Sequence, residues 1–238
     1  EQAAFDSIRE EITATPILDI GVGTGRTIKI LKRLTYDYRA IDYLQSMVDV
    51  SRKRHPDAVV ERGDARDLSG MPENYFGFVQ FSFNGIDSVA AHDRSRVLYN
   101  VNKVLKERGI FLFSTLNLDG PIPHERPWDI HFPRVRDPLR FAVRLTRELL
   151  WKPVEIIRWR RLQQHRNDGS GFMVAALPAH HWSILAHFIS LARQIQELEE
   201  AGFSIMRVFG NNTSEMISPG DATTDVSWFH IVARKKFS

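Results

Sequence analysis

A chain of 238 residues with 43% apolar side chains is long enough for one large α/β domain, or for a domain carrying an insertion. It has no cysteine, which excludes disulfides, thiolate metal sites and a cysteine nucleophile, and suits a reducing, cytoplasmic setting. The net charge is only +3, and no apolar run reaches the roughly 18 residues of a transmembrane segment.

Residues 2–12 read as a short helix that Pro16 ends. Ile17 to Ile20 reads as a buried strand running into the turn Gly21-Val22-Gly23-Thr24-Gly25. Ile28, Leu31 and Leu34 are spaced as a helix over 27–34, and Arg39 to Asp42 as a second strand ending in an acid. A helix is expected over 46–54, a short strand over 59–62, and a strongly apolar strand over 75–83. Val97, Leu98, Val101, Val104 and Leu105 form one stripe, which predicts a helix over 94–107. Arg108-Gly109 stops it, and a fifth strand covers 110–114. This alternation implies a mostly parallel sheet with helices on both faces.

After Asn117 the rhythm breaks. Residues 118–137 read as an irregular loop, 138–165 as two helices divided near Pro153, and 182–190 as a strand. A helix over 192–201 is stopped by Gly202, and strands over 203–209 and 228–233 close the chain. The boundaries expected are a core over 1–117, an insertion over 118–187 and a return to the core over 188–238.

The glycine turn carries most of the chemistry. Glycine lets backbone approach a ligand and tolerates positive φ. The dinucleotide fingerprint is G-x-G-x-x-G, but here the third glycine comes one residue early and Arg26 holds its place. Ligands of open α/β sheets bind outside the carboxyl ends of the strands. Asp42, Asp64-Ala65 and Phe83-Asn84 follow strands two, three and four at such ends. An acid after strand two can accept both hydroxyls of a ribose.

With these residues in place, ILDIGVGTGR, AIDYLQSMVDVSRKR, ERGDARDL, YFGFVQFSFNGIDSV and RVLYNVNKVLKERGIFLFS together resemble the core of a class I S-adenosylmethionine (SAM) methyltransferase of the small-molecule type. ELEEAGFSIMRVF resembles the family's last helix and sixth strand. The resemblance implies a Rossmann-like, doubly wound, seven-stranded sheet with an antiparallel last strand and a helical lid. It implies SAM as cofactor and S-adenosylhomocysteine (SAH) as product. Carried over, Gly21 and Gly23 would line the methionine portion, Asp19 would help hold its amino group, and Asp42 would bind the ribose diol. Tyr43 and Met47 would lie beside the adenine, Asp64 and Ala65 at its edge, and Phe83 and Asn84 at the methionine end.

A general base helps when the methyl acceptor is a hydroxyl. Asp87 and His92 are the catalytic candidates because they follow strand four. Each also suits a structural role, Asp87 at the start of the next helical region and His92 beside a helix cap. No metal site is expected, since Asn84 and Asp87 are too few ligands for magnesium.

Between Glu125 and Arg166 ten Arg and one Lys face five acids. Four readings stay open for this segment. It is a solvated lid, a site for an anionic substrate, a peripheral surface toward anionic lipid, or a nucleic-acid surface. Strand four lacks the Asn/Asp-Pro-Pro-aromatic signature of enzymes that methylate exocyclic amines of bases. The expected acceptor is therefore a hydroxyl or amine of a small molecule, natural product or glycan. An RNA methyltransferase and a non-catalytic SAM-binding module are the alternatives. Oligomeric state is not legible.

Overall fold

The computed structural model describes residues 1–130, 137–218 and 220–237. Two short helices, α1 (Gln2–Asp6) and α2 (Arg9–Ile12), precede β1 (Ile17–Ile20). The chain continues through α3 (Ile28–Leu31), β2 (Tyr38–Asp42), α4 (Gln45–Arg54), β3 (Val59–Arg62), β4 (Phe76–Phe81), α5 (Arg94–Val104) and β5 (Leu105–Asn117). It then forms α6 (Pro138–Gln163), the strands β6 (Asn167–Gly169), β7 (Phe172–Ala176) and β8 (Leu185–Ile189), and finally α7 (Leu191–Glu200), β9 (Phe203–Gly210) and β10 (Trp228–Lys235).

The central sheet runs β3-β2-β1-β4-β5, all parallel, and β10 then pairs antiparallel with both β5 and β9. Side chains on β1 and β5 alternate between the two faces, as the period of a strand demands. Leu18, Ile20, Phe111 and Phe113 pack with Val97, Leu98 and Val101 of α5 on one face. Ile17, Ile110 and Leu112 pack with Ile8, Ile28, Leu31 and Val48 on the other. Helices on opposite faces flank the β1–β4 boundary, so the strand order reverses there and the carboxyl ends of β1 and β4 part to form a crevice.

The expected fold class stands, with three strands more than the seven expected. Residues 167–176 hold a hairpin that sequence reading leaves unassigned. Its two-residue turn is Ser170-Gly171, with Gly171 at φ +74°, a conformation glycine adopts freely. β7 pairs antiparallel with β8, and β8 pairs parallel with the last two residues of β5, Leu116 and Asn117. β10 already occupies one edge of β5 at Leu116, so β8 lies on the other edge, beyond the end of β4. The insertion thus extends the sheet past the crevice, over its own small core of Leu116, Met173, Ala175, Ala186 and Phe188.

Several expected elements shift, the fifth strand among them, which runs from Leu105 to Asn117. The helix expected to reach residue 107 ends at Val104, because the buried Leu105 pairs with Phe76 of β4. The strand expected from 182 begins at Leu185, because His181 and Trp182 both adopt positive φ and turn the chain. The two helices expected over 138–165 are one, α6, which passes through Pro153. Proline has no N–H, so the helix is one backbone bond short there but is not broken. α6 is seated by Glu155, whose carboxylate takes His181 Nδ1 at 2.8 Å and Lys152 Nζ at 3.3 Å, and by Trp151 stacked on His181. Its N-terminus is capped by the Asp137 side chain, which accepts from the backbone N–H of Arg140.

Candidate active site

A cavity of about 820 Å³ opens at the crevice. The turn after β1 forms its floor. Gly21, Gly23 and Gly25 all have positive φ, which only glycine adopts freely. A Cβ on Gly21 would lie 2.9 Å from the Phe81 ring, so that glycine is needed for packing. A Cβ on Gly23 would meet nothing within 4 Å and would stand in open space beside the cavity.

Asp42, at the end of β2, is 8% exposed and has no cationic partner among the described residues. Its Oδ2 accepts from the backbone N–H of Gly23 at 2.8 Å, and its Oδ1 accepts from Leu44 N–H at 2.9 Å. Each carboxylate oxygen can accept more than one hydrogen bond. Both therefore keep capacity for a further donor, and the residue lines the cavity. One carboxylate locks the turn after β1 to the end of β2.

The rim beyond Asp42 is aromatic and cationic. Tyr43 is 58% exposed, with the Arg66 guanidinium 5.8 Å from its ring. Arg66 also holds Asp64, with Nη2 to Oδ2 at 2.7 Å, and reaches Asp93 at 3.2 Å. These hydrogen bonds hold the Asp64 carboxyl below its ordinary range. Ala65 lines the wall beside them. At the opposite end the chain leaves β4 through Ser82, Phe83 and Asn84. Phe83 and Asn84 sit at φ +57° and +56°, a strained conformation for side chains of their size. The Ser114 hydroxyl accepts from Asn84 N–H at 2.7 Å and holds the turn. The strain has a visible result: the Phe83 ring is 81% exposed, standing over the cavity instead of in the core.

Seven of the residues singled out from sequence therefore meet around one space: Gly21, Gly23, Asp42, Tyr43, Asp64, Ala65 and Phe83. Five lie elsewhere. Asp19 is fully buried beneath the turn, where its Oδ2 accepts from Thr27 Oγ1 at 2.5 Å and Tyr38 OH at 2.8 Å. Burial pushes its carboxyl up to about 6, against the pull of those two hydrogen bonds. Met47 is half-buried on α4, and Asn84 points its Oδ1 into the protein.

Asp87 is buried behind the loop. Its carboxylate takes Arg94 Nη1 at 2.9 Å, Thr115 Oγ1 at 2.7 Å and Leu116 N–H at 2.7 Å. Burial raises its carboxyl despite Arg94. Arg94 continues this network to Gln194 on α7, at 2.7 Å. The His92 side chain is 82% exposed, beside Asp93 and outside the cavity lining.

Sequence reasoning missed Arg66, Leu44, Ser82, Ser88 and Val89, which also line the space. Arg66 carried a signal, since an Arg two residues after an acid at a strand end can fold back onto it. Ser88 and Val89 reach the wall through a one-turn helix, Gly85–Ser88, that has no period to read.

A family described as a methyltransferase domain matches residues 18–113. That span contains every cavity element from β1 to β5. Demethylmenaquinone methyltransferase of Thermotoga maritima is 30% identical over 107 residues, 42% of this chain and 42% of that protein. The match thus spans well under half of that curated relative. Among solved structures, a SAM-dependent methyltransferase from Mesorhizobium loti superposes with a TM-score of 0.64 at 18% identity, covering 98% of both chains. The 1,6-didemethyltoxoflavin-N1-methyltransferase of Burkholderia thailandensis, solved with 1,6-didemethyltoxoflavin and SAH, gives a TM-score of 0.59 at 12% identity, over 100% of this chain and 78% of that one.

The fold is that of the class I SAM-dependent methyltransferases. Residues 18–113 match the methyltransferase-domain family, and SAM is the cofactor named for the Mesorhizobium loti protein that shares this fold. The cavity suits this cofactor on its own terms. It has an uncompensated carboxylate for a diol, a glycine beside which backbone can approach, and exposed aromatic rings for a flat base.

Proposed function

We propose that the chain transfers a methyl group from SAM to a hydroxyl or amine of a small-molecule acceptor, such as a natural product or a sugar-containing compound. The observation that carries this reading is Asp42. It is an acid at the switch point that holds the glycine turn with one hydrogen bond per oxygen and lines the cavity.

SAM supplies an electrophilic methyl on a sulfonium. In this reading Asp42 accepts from the ribose hydroxyls and Gly23 admits the methionine portion alongside the turn. Tyr43 and Ala65 flank the adenine, with the Asp64–Arg66 pair at its edge. Phe83 covers the methionine end and excludes water. The acidic and histidine side chains lining the cavity among the described residues are Asp42 and Asp64, both at the nucleoside end. Asp87 is buried in its own network and absent from the cavity lining, and His92 faces solvent. The residues in hand therefore work chiefly by alignment, and holding the acceptor in line with the methyl supplies much of the rate. Such a site suits an acceptor that is already nucleophilic, an unprotonated amine or an acidic hydroxyl. The insertion over 118–187, whose strand β8 extends the sheet past β4, shapes the acceptor side. The acceptors for which two similar proteins are named, demethylmenaquinone and 1,6-didemethyltoxoflavin, are small molecules and support this class.

The test is acceptor-dependent SAH release. Amine and acidic-hydroxyl acceptors are expected to raise SAH formation above the acceptor-free rate, with a rate that rises as the acceptor loses its proton. Turnover on RNA and on no small acceptor would overturn the acceptor class. SAH binding without turnover on any acceptor would point to a non-catalytic module.

A further inference from the structure

α6 turns an apolar stripe to solvent. Leu139 is 74% exposed, Val143 61%, Leu150 73% and Ile157 65%, with Val154 at 38%. At 100° per residue these five side chains fall within one narrow sector of the helix. The stripe runs about 27 Å along the axis, from Leu139 to Ile157, at 1.5 Å per residue. The opposite face is seated on the protein through Glu155, Lys152 and Trp159, the last edge-on to Trp128. The stripe therefore has no partner among the described residues. A leucine row in water is unfavourable, and a contiguous one marks an interaction surface.

The charge beside the stripe identifies the occupant. Between Pro138 and Gln163 there are seven cations and two acids. Arg140, Arg147 and Arg158 flank one side of the stripe, Arg160 flanks the other, and Arg161 continues it. Both acids lie on the seated side: Glu155 is buried and Glu148 is half-buried. Arg140, Arg144, Arg147, Arg160 and Arg161 have no carboxylate partner among the described residues, and Arg158 rests over the Trp151 ring. Arginines flanking exposed leucines, three on one side and Arg160 on the other, match a layer with an apolar interior and an anionic surface. A second copy of α6 would bring like charges together. A nucleic acid would offer phosphates to the arginines and nothing to the leucines.

We propose that α6 is an interfacial helix that lies on an anionic lipid surface, its leucine stripe among the acyl chains and its arginines among the headgroups. This docking does not depend on which acceptor is methylated. It places the insertion, and with it the acceptor side of the sheet, at the membrane.

The test is flotation with vesicles of phosphatidylglycerol and phosphatidylcholine in equal parts, against phosphatidylcholine alone, with the protein as it stands and with Leu150→Ser/Ile157→Ser. Both replaced residues are exposed, and circular dichroism checks that the variant folds. The protein is expected to float with the mixed vesicles, to be released by high salt, and to bind phosphatidylcholine far less. The double variant should lose about a hundredfold in partitioning, about tenfold for each apolar side chain withdrawn from lipid. A second, milder pair, Arg140→Gln/Arg147→Gln, should weaken binding to the mixed vesicles alone. No flotation with the mixed vesicles, or equal flotation of Leu150→Ser/Ile157→Ser, would overturn the proposal. So would a dimer in sedimentation velocity that this variant dissociates, since a second copy would then cover the stripe.

Discussion

At the scale of single residues, the site depends on a few groups whose surroundings are unusual. Gly23 has positive φ and an open side toward the cavity. Gly23→Ala is expected to cost only about 1 kcal/mol of stability in urea unfolding, for the strained backbone. It should weaken SAH binding by at least about tenfold, because the new methyl stands where backbone must approach the ligand. Unchanged SAH affinity would remove Gly23 from the site.

Asp19 makes a pH-dependent prediction. Its carboxyl is raised from 3.8 to about 6 by burial, with no direct ion pair to compensate. Between those values the folded protein keeps a proton that the unfolded chain has lost. Stability from this group is therefore full below the unfolded pKa and falls as pH rises through the folded one. Asp19→Asn removes the titration. Its stability relative to the parent is expected to improve by about 3 kcal/mol from about pH 4 to about pH 7 in urea midpoints. A parallel pair of pH profiles would contradict the assignment.

Asp87 and His92 separate cleanly. Asp87→Asn breaks a buried pair and should cost about 3–5 kcal/mol of stability. His92→Ala removes an exposed ring and should stay within about 0.5 kcal/mol of the parent. Neither substitution is expected to change SAH affinity at a temperature where both variants are folded. Asp87→Asn at full stability would mean that the network does not anchor the loop after β4.

At the scale of elements, what was legible follows from periodicity and strand ends. β1, β2, β4 and α5 were readable because burial on both faces, or one apolar stripe, leaves a clear period. The acids and glycines at strand ends were readable because parallel strands all point their carboxyl ends to one side, so seven chosen residues converge. Asp19 and Asp87 lie outside the cavity lining for a reason sequence cannot reveal. A carboxylate near a strand end can turn inward to buried hydroxyls or to an arginine, and only packing decides.

The hairpin β6–β7 was illegible because Asn167-Asp168-Gly169 is wholly exposed and polar, held as a strand by pairing alone. α6 was misread as two helices because Pro153 is a strong local signal. The strong helix formers around it and the anchor at Glu155 outweigh one missing backbone bond. Pro153→Ala should therefore raise protection of the neighbouring α6 amides from hydrogen exchange, stabilising that helix by up to about 3 kcal/mol. No gain in protection would mean that Pro153 sits at a break in the helix after all.

At the scale of the whole molecule, two halves of the chain have different tasks. The parallel sheet from β1 to β5 brings distant acids and glycines to one crevice, and the family match covers only this part, residues 18–113. The region from α6 to β8 adds strands past the crevice and carries the arginines. Its eight cations against three acids exceed the whole chain's net charge of +3, which conceals how one-sided its cationic helix is. Ligand binding should couple the parts through the sheet, so SAH is expected to raise the melting temperature in a concentration-dependent way.

Calorimetric titration of SAH into the parent protein and into Asp42→Ala tests the central assignment most directly. The expected result is one-to-one binding by the parent, with affinity reduced about a hundredfold in the variant as two hydrogen bonds to a charged acceptor are lost. Equal SAH affinity in the two proteins would contradict it and move the cofactor away from the crevice between β1 and β4.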